Sequence, residues 1–442
     1  MNAEGVAHPW KVPVPVPLPP PAVRTPGAPA PAPRRPSPRE PSPTASAVLL
    51  VTGFVLLSLN TRVAFGQLGP LAPVAGLGTG AVTLLGLLPP LCMGAFAPFV
   101  PLVRRRLGEE RGLFAASVLL LVGAVVRVLG MPGLLVGTAL VGVATAVVNV
   151  LIPVFVRSRF APRRVGVMMG VYALSMGAGS ALVAALMVPV WRAGGHAWEP
   201  AIGVAVIPAA LAALGIAPQL RYGKRDVGPE RVQARARARV LGGGGGGIGG
   251  GDRGLAWSLI VFFGLQTLLF YTTLAWLPAI LVDSGVAEGT AGTMQSLFIV
   301  GVAVGGFLTP VLAAARTDQR PHLLAVILVC ASGYAGLLAA PAAAPALWSF
   351  VLGAGLGGGQ AVTGVLYVKR GRDHDHVAAL STAAQTGGYL LAAAGPVAAA
   401  ALHTATGGWT VPLLVLAGVL LPSAAASLRA GHDRPARDRP AA

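Results

Sequence analysis

The chain has 442 residues, of which 54% are hydrophobic and only 11% are charged. About a quarter of the residues of a soluble domain are charged, so this composition excludes a soluble globular protein and indicates a polytopic membrane protein. The formal net charge of +18 does not indicate nucleic-acid binding, because the basic residues fall between apolar stretches and no recognition motif accompanies them.

The first segment, residues 1–44, is rich in proline, alanine and arginine, with runs such as VPVPVPLPPP. Such a composition cannot bury a core, so we expect a disordered, polyproline-like cytoplasmic tail. A proline-rich ligand for a partner protein is the alternative interpretation. We expect no cleavable signal peptide here, because the segment lacks the apolar stretch that a signal needs.

After this tail, twelve apolar stretches are long enough to cross a bilayer as helices, which takes about 20 residues each. They predict an all-α membrane protein of two six-helix bundles, residues 45–217 and 255–429, with a linker at 218–254 and a cytoplasmic tail at 430–442. The linker holds an arginine-rich run and a glycine tract, which is typical of a flexible connection. The predicted spans are 46–68, 81–103, 112–130, 133–156, 165–190, 199–217, 255–282, 289–314, 322–341, 345–368, 377–402 and 409–428.

The distribution of basic residues predicts the orientation. If both termini are cytoplasmic, thirty of the 33 lysines and arginines lie in segments on the inner side. The others are Arg192 in an outer loop and Arg62 and Arg127 inside spans. This asymmetry follows the positive-inside rule and predicts cytoplasmic termini. Arg127 is within a turn of the outer end of its span, where snorkelling or a structural hydrogen bond is expected.

Arg62 is the candidate functional residue, together with Asn60 beside it in the first span. An arginine inside the membrane is costly and marks a functional site by default. Fourteen of the fifteen Asp and Glu residues lie outside the predicted spans, and the other, Glu199, is the first residue of its span, so the sequence offers Arg62 no carboxylate partner deep in the membrane. A guanidinium suits planar oxyanions and carboxylates, and we therefore predict an anionic ligand. Snorkelling of Arg62 to the outer headgroups is the alternative.

The two halves form a weak repeat that pairs membrane amides. Asn60 falls one residue from Gln266 when the halves are superposed, and Asn149 falls one residue from Gln360. Amides at corresponding places predict a shared central cavity, as in transporters built from repeats. The alternative is that they hydrogen-bond across packed helices. Tyr172, Gln385 and Tyr389 are further candidates for lining the cavity.

The sequence gives little support to an enzyme or a metal centre. It has no paired carboxylates, GxSxG or HExxH motif. The cluster His374-Asp375-His376 is interpreted as a solvated turn rather than a metal site. Cys92 and Cys330 lie in apolar spans and are interpreted as small buried hydrophobic residues. We predict no cofactor and no metal.

Six motifs together resemble the major facilitator superfamily, and within it the branch of cyanate-permease-like and nitroimidazole-transporter-like proteins. The resemblance covers about residues 46–428. The motifs are LSLNTRVAFGQLGPLAP (57–73), GLLPPLCMG (86–94), NVLIPVFVRSRF (149–160), MGVYALSMGAG (169–179), FFGLQTLLFYTTLAWLPAIL (262–281) and AAQTGGYLLAAAGP (383–396).

This resemblance implies a twelve-helix carrier whose spans 1, 4, 7 and 10 line a cavity that opens alternately to each side. It implies a substrate site at Asn60 and Arg62, faced by Gln266, Tyr271 and Gln385. It also implies an inner gate that includes Asp318 and Arg320. The loop between spans 2 and 3 departs from the family pattern, because Arg105 stands where the family usually has an aspartate.

The sequence therefore predicts a transporter in the cytoplasmic membrane that moves a small anionic or polar, cyanate-like solute by alternating access. The expected partners are that solute and the lipid bilayer, with no nucleic acid, and the pattern is compatible with a monomeric carrier. One alternative is an exporter of small heterocycles such as nitroimidazoles, in which Arg62 is structural. Another is a non-transporting membrane sensor or scaffold that uses the proline-rich tail.

Overall fold

The computed structural model describes residues 43–60, 79–222 and 252–432. Contacts divide the chain into Met1–Ala45 and Ser46–Ala442, and the second unit holds almost everything described below. Every regular element in the described residues is helical, which confirms the all-α prediction for them. Most of the proline-rich tail, Arg62 and the glycine tract of the linker lie outside the described residues.

The helices up to residue 222 are called the first half here. Short 3₁₀ turns at Ala97–Phe99 and Pro162–Arg164 connect some of them. The α-helices of the first half are α1 (Pro43–Asn60), α2 (Thr79–Phe96), α3 (Val100–Leu107), α4 (Glu109–Val126), α5 (Gly130–Arg159), α6 (Val165–Ala193), α7 (Trp198–Gly203), α8 (Val206–Ile216) and α9 (Gln219–Tyr222).

The helices from residue 253 onward are called the second half. They are longer and less interrupted than those of the first half. They are α10 (Arg253–Asp283), α11 (Glu288–Ala314), α12 (Arg320–Ala339), α13 (Pro345–Arg370), α14 (His374–Thr406) and α15 (Thr410–Ala430).

Ten helical segments in the described part are long and apolar enough to cross a membrane. They correspond to all the predicted spans except the first and the third. The first is described only as far as Asn60, so its apolar part, Ala47–Asn60, is shorter than a full span. The third is α4, an 18-residue helix whose first turn carries Glu109 and Glu110. The long helices also extend past the predicted cytoplasmic boundaries, because their basic ends remain helical.

Small residues allow the tightest helix pair, α11 with α13. A Cβ added at Gly305 would overlap the carbonyl oxygen of Ala354, and one added at Gly357 would overlap that of Val302. Gly301 and Gly353 make equivalent approaches to the facing backbone. Small residues at a membrane helix interface let backbones approach closely, so that dispersion contacts replace the hydrophobic effect that lipid does not supply.

Close approaches of the same kind place α1 within the first half. Gly179 of α6 lies against the carbonyl of Leu59, and Gly53 lies against the carbonyl of Gly215 in α8. Phe54 is fully buried and contacts the rings of Phe155 and Tyr172. The end of α1, where the first candidate residues lie, is therefore fixed against α6 and α8.

Candidate substrate site and inner gate

Asn60 is the last described residue of α1 and is buried, with 4% of its surface exposed. Its amide nitrogen has no hydrogen-bond partner among the described residues. A buried donor without a partner costs about 1–3 kcal/mol and calls for a ligand, a water or a neighbouring group to satisfy it. Arg62 follows two residues later and lies outside the described residues, so its proposed role rests on the sequence.

Asn149 occupies the centre of a hydrogen-bonded group that joins three helices. The hydroxyl of Tyr172 in α6 donates to Asn149 Oδ1 at 2.5 Å. Asn149 Nδ2 in turn donates to the hydroxyl oxygen of Tyr389 in α14 at 3.0 Å. The structure therefore brings together three of the residues that the sequence singled out, and one of the two bonds crosses between the halves.

Gln266 makes its described contacts within the second half. It is fully buried, and its Nε2 donates to Ser423 Oγ of α15 at 3.1 Å. Its amide also lies against Gly359 of α13, where an added Cβ would overlap Gln266 Oε1. The side chain therefore sits between α10, α13 and α15, inside the second half. This placement favours the alternative of an amide that binds packed helices together.

The remaining predicted site residues are spread over the second half. Gln385 is buried, its Nε2 donates to Ser381 Oγ at 2.9 Å, and its Oε1 has no hydrogen-bond partner among the described residues. It lies one helical turn from Tyr389, so both are on the same side of α14. Tyr271 packs edge-on against Phe270, with ring centroids 5.2 Å apart. Gln360 is half-buried on α13, and its carbonyl accepts from Thr363.

The inner ends of the two halves are joined by Arg157, at the cytoplasmic end of α5. Its Nη1 donates to the carbonyl oxygens of Val368 at 2.8 Å and Gly371 at 2.5 Å, and its Nη2 donates to that of Arg372 at 2.7 Å. These carbonyls lie at and just beyond the C-terminus of α13. A cation is stabilised at a helix C-terminus because the last carbonyls are unpaired and carry partial negative charge.

A second connection at the inner surface is an ion pair between Arg104 of α3 and Asp375 of α14, with N and O 2.5 Å apart. Arg104 also contacts Glu109 at 3.3 Å. The sequence hypothesis named Arg105 as a gate residue together with Asp318 and Arg320. In the structure Arg105 is exposed, and its neighbour Arg104 makes the contact with the second half. Asp318 Oδ1 accepts from the backbone N–H of Arg320 at 3.0 Å, a contact within a single loop.

The segment His374-Asp375-His376 is not the solvated turn that we expected. Asp373 caps the N-terminus of α14 by accepting from the backbone N–H of His376 at 2.7 Å. His376 is buried, its Nδ1 accepts from the backbone N–H of Arg372 at 3.1 Å, and its Nε2 lies 3.5 Å from Asp252. Arg372 also pairs with Asp252. No cluster of three or more potential metal ligands occurs in the described residues.

Two further cations bind helix C-termini within the second half. Lys369 Nζ donates to the carbonyls of Ala314 at 2.6 Å and Arg316 at 2.5 Å, beyond α11. Arg370 Nη2 donates to the carbonyl of Gly431 at 2.7 Å, beyond α15. Sequence reasoning missed these residues and Arg157. The sequence does contain a signal for them. Arg157 directly follows Val156, and Lys369 and Arg370 follow Val368, so each cation stands just after the last apolar residue of a span.

Arg127 does not snorkel to solvent. It caps the C-terminus of α4, and its side chain is fully buried. An added Cβ at Gly137 of α5 would fall 2.5 Å from Arg127 Cγ, so the absence of a side chain at Gly137 makes room for the arginine. The sequence left two roles open for Arg127, snorkelling or a structural contact, and its burial favours the structural contact.

The described residues thus form two helical halves that are joined by polar contacts at their inner ends and between α5 and α14, which is the arrangement of a polytopic membrane carrier. The family model that describes the Major Facilitator Superfamily matches residues 48–370. The chain belongs to this superfamily. It is therefore a multi-pass plasma-membrane transporter of small solutes, and the family points to a transporter rather than an enzyme.

Curated relatives are similar over most of the chain. A 2-nitroimidazole transporter of Escherichia coli is 34% identical over 88% of this chain and 97% of its own length. An uncharacterized transporter of Bacillus subtilis is also 34% identical, over 87% of this chain and 94% of its own. The cyanate transport protein of Escherichia coli is 28% identical over 69% of this chain and 77% of its own.

Solved structures have the same fold at low sequence identity. The Escherichia coli fucose:proton symporter gives a TM-score of 0.62 at 14% identity and covers 88% of this chain and 99% of its own. The human organic anion transporter MFSD10 gives 0.62 at 16% identity and covers 88% of this chain and 100% of its own. This similarity confirms the predicted major-facilitator fold.

Proposed function

We propose that this transporter moves a small anionic or polar solute, of the cyanate-like class, by alternating access. The observation that carries the proposal is Arg62, an arginine inside the first predicted span of a chain whose Asp and Glu residues all lie outside the spans or at their ends. An unpaired cation in the bilayer is costly, and an anionic solute would offset that cost while bound. Asn60 supports this role, because its buried amide nitrogen has no partner among the described residues.

In the proposed mechanism, the bundles at 45–217 and 255–429 rock about the solute, and the linker at 218–254 connects them. The contacts of Arg157 and Arg104 with the second half close the inner side. Asp318 and Arg320 take part in the inner gate through the loop that follows α11. In this mechanism the solute reaches Arg62 and Asn60 from the outer side while the inner contacts are made, and separation of those contacts opens the path to the cytoplasm.

A second candidate is an exporter of small heterocycles, supported by the similarity to a relative named as a 2-nitroimidazole transporter. In that case Arg62 is a structural residue that snorkels or binds carbonyl oxygens, and the ligand is neutral. The two candidates differ in whether the Arg62 charge is needed for binding.

The test is a thermal-shift titration of the purified protein with cyanate, nitrate and 2-nitroimidazole. Wild type is compared with Arg62→Ala, with Arg62→Lys, and with Arg192→Ala as a control that removes an outer-loop arginine. A ligand at a hundredfold excess over its Kd stabilises the folded state by about 2.7 kcal/mol. An anion that stabilises wild type and Arg192→Ala but not Arg62→Ala supports the proposal. Equal stabilisation of wild type and Arg62→Ala by 2-nitroimidazole alone supports the second candidate.

A further inference from the structure

The hydrogen-bonded group of Asn149, Tyr172 and Tyr389 spans the boundary between the halves. Asn149 and Tyr172 belong to the first half, and Tyr389 belongs to the second. Asn149 uses both ends of its amide, because Oδ1 accepts from Tyr172 and Nδ2 donates to Tyr389. Donation by Tyr172 to Oδ1 turns the amide nitrogen toward Tyr389, so Tyr172 positions the donor of the cross-half bond.

The bond lies deep in the bilayer. By the helical rise, Asn149 is about 15 Å from Arg159 at the cytoplasmic end of α5, and Tyr389 is about 22 Å from His374 at the start of α14. The hydrocarbon core is about 30 Å thick, so the bond lies near its middle. A hydrogen bond in a medium of low dielectric constant is stronger than the same bond in water.

Apolar side chains surround the group. Phe263 packs edge-on against Tyr389, with ring centroids 5.3 Å apart, and Phe54 lies 6.4 Å from the ring of Tyr172. The sulfur of Met93 is 3.6 Å from Asn149 Nδ2, and Tyr389 is 3% exposed. Asn149 and Tyr172 are half-buried, so this packing shields the cross-half bond from solvent in part.

We propose that the hydrogen bond between Asn149 and Tyr389 is a latch that holds the inner side closed from within the bilayer, and that Tyr172 is its positioning residue. α14 contacts the first half at two levels, through Asp375 at the surface and Tyr389 in the bilayer. Opening the inner side moves α14 away from α3 and α5 and breaks both contacts. Water entering the opened cavity then forms hydrogen bonds with the amide and the hydroxyl. The latch therefore favours the inner-closed state over the inner-open state without preventing opening. The proposal rests on alternating access but not on the identity of the solute.

The magnitude follows from the chemistry of one neutral hydrogen bond. Loss of such a bond changes an equilibrium by roughly 2- to 12-fold. Tyr389→Phe removes only the hydroxyl that accepts the cross-half bond, so we expect the ratio of inner-open to inner-closed molecules to rise by that factor. Tyr172→Phe leaves the cross-half bond in place but releases the Asn149 amide, so a smaller rise is expected.

The matched control is Tyr334→Phe. Tyr334 is fully buried, and its hydroxyl pairs with Thr273 Oγ1 at 2.7 Å inside the second half. The Tyr334→Phe variant therefore loses a buried hydrogen bond like that of Tyr389, but this bond does not cross between the halves. Its inner-open fraction is expected to equal that of wild type, although its thermal midpoint falls.

The measurement is the distance distribution between spin labels at Arg163 and Thr317, which are exposed at the cytoplasmic surface of the two halves. It uses full-length protein in lipid nanodiscs without solute, with Cys92 and Cys330 replaced by serine. A longer-distance population that grows in the order Tyr334→Phe, Tyr172→Phe, Tyr389→Phe supports the latch. Tyr389→Phe with the wild-type distribution overturns it, whatever its effect on solute binding. Because no solute is present, this result is independent of the Arg62 titration.

Discussion

Arg157 donates to the carbonyl oxygen of Val368 at 2.8 Å across the boundary between the two halves. Together with its bonds to Gly371 and Arg372, this contact makes a helix C-terminus the acceptor at the inner gate. We propose that this contact helps to close the inner gate, in a chain whose loop between spans 2 and 3 has Arg105 where the family usually has an aspartate.

The first prediction concerns this contact. Arg157→Gln removes the charge and most of the donors, so we expect the inner-open fraction to rise by at least about tenfold, because even one hydrogen bond to a charged group contributes about 1.5–3 kcal/mol net. The control is Arg159→Gln at the end of the same helix. Arg159 pairs with Glu110 inside the first half, so its loss is expected to leave the distance between labels at Arg163 and Thr317 unchanged. An equal response of the two variants would contradict the assignment of Arg157 to the gate.

The second prediction separates two adjacent arginines. Arg104→Ala breaks the ion pair with Asp375, whose side chain is 49% exposed, so the effect is limited to a change of up to about fivefold in the inner-open fraction. It is expected to shrink at high salt, because exposed pairs are screened. Arg105→Ala is expected to have no effect. Spin-label distances at 50 mM and 500 mM salt measure both variants. If Arg105→Ala changed the inner-open fraction as much as Arg104→Ala, Arg105 would take part in the gate, as the sequence indicated.

Much of the fold was predictable because membrane helices leave a simple signal. The length of each apolar stretch predicted the long helices, and the positions of Lys and Arg predicted their orientation in the membrane. The boundaries were less accurate at the cytoplasmic side, where α5 continues to Arg159 and α13 to Arg370. Hydropathy ends a span at its first charge, whereas the backbone continues as a helix until its carbonyls find other partners.

The direction in which a polar side chain points was not predictable. The repeat pairs Asn149 with Gln360 and Asn60 with Gln266, but it cannot tell which face of a helix meets the other half. Gln266 turned toward Ser423 in its own half, whereas Asn149 turned toward Tyr389. A shift of 212 residues, which brings Asn149 within one residue of Gln360, also superposes Arg157 on Lys369. Arg157 binds the C-terminus of a helix in the opposite half, and Lys369 binds one in its own.

The third prediction tests the role of Gln266. If its amide binds packed helices together, Gln266→Leu and Ser423→Ala each lower the thermal midpoint by leaving one buried polar partner unpaired, at a cost of about 1–3 kcal/mol. The double variant is expected to recover part of that loss, because both polar groups are then absent. Solute affinity, measured in the same titration as for Arg62, is expected to remain within about twofold of wild type in Ser423→Ala. A selective loss of affinity in Gln266→Leu, without a fall in midpoint, would place Gln266 at the substrate site instead.

The fourth prediction concerns the close packing of α11 and α13. Gly305→Ala adds a Cβ that would overlap the carbonyl of Ala354, and forcing extra volume into a packed interface costs about 1–3 kcal/mol. Gly418→Ala is the control, because a Cβ at Gly418 of α15 meets nothing within 4 Å. Alanine favours a helix over glycine by about 1 kcal/mol, so this variant is expected to be neutral or slightly stabilised. Thermal unfolding in detergent, followed by tryptophan fluorescence, measures both. A midpoint for Gly305→Ala equal to that of Gly418→Ala would mean that α11 and α13 can separate without loss, and that close backbone contact does not hold the second half together.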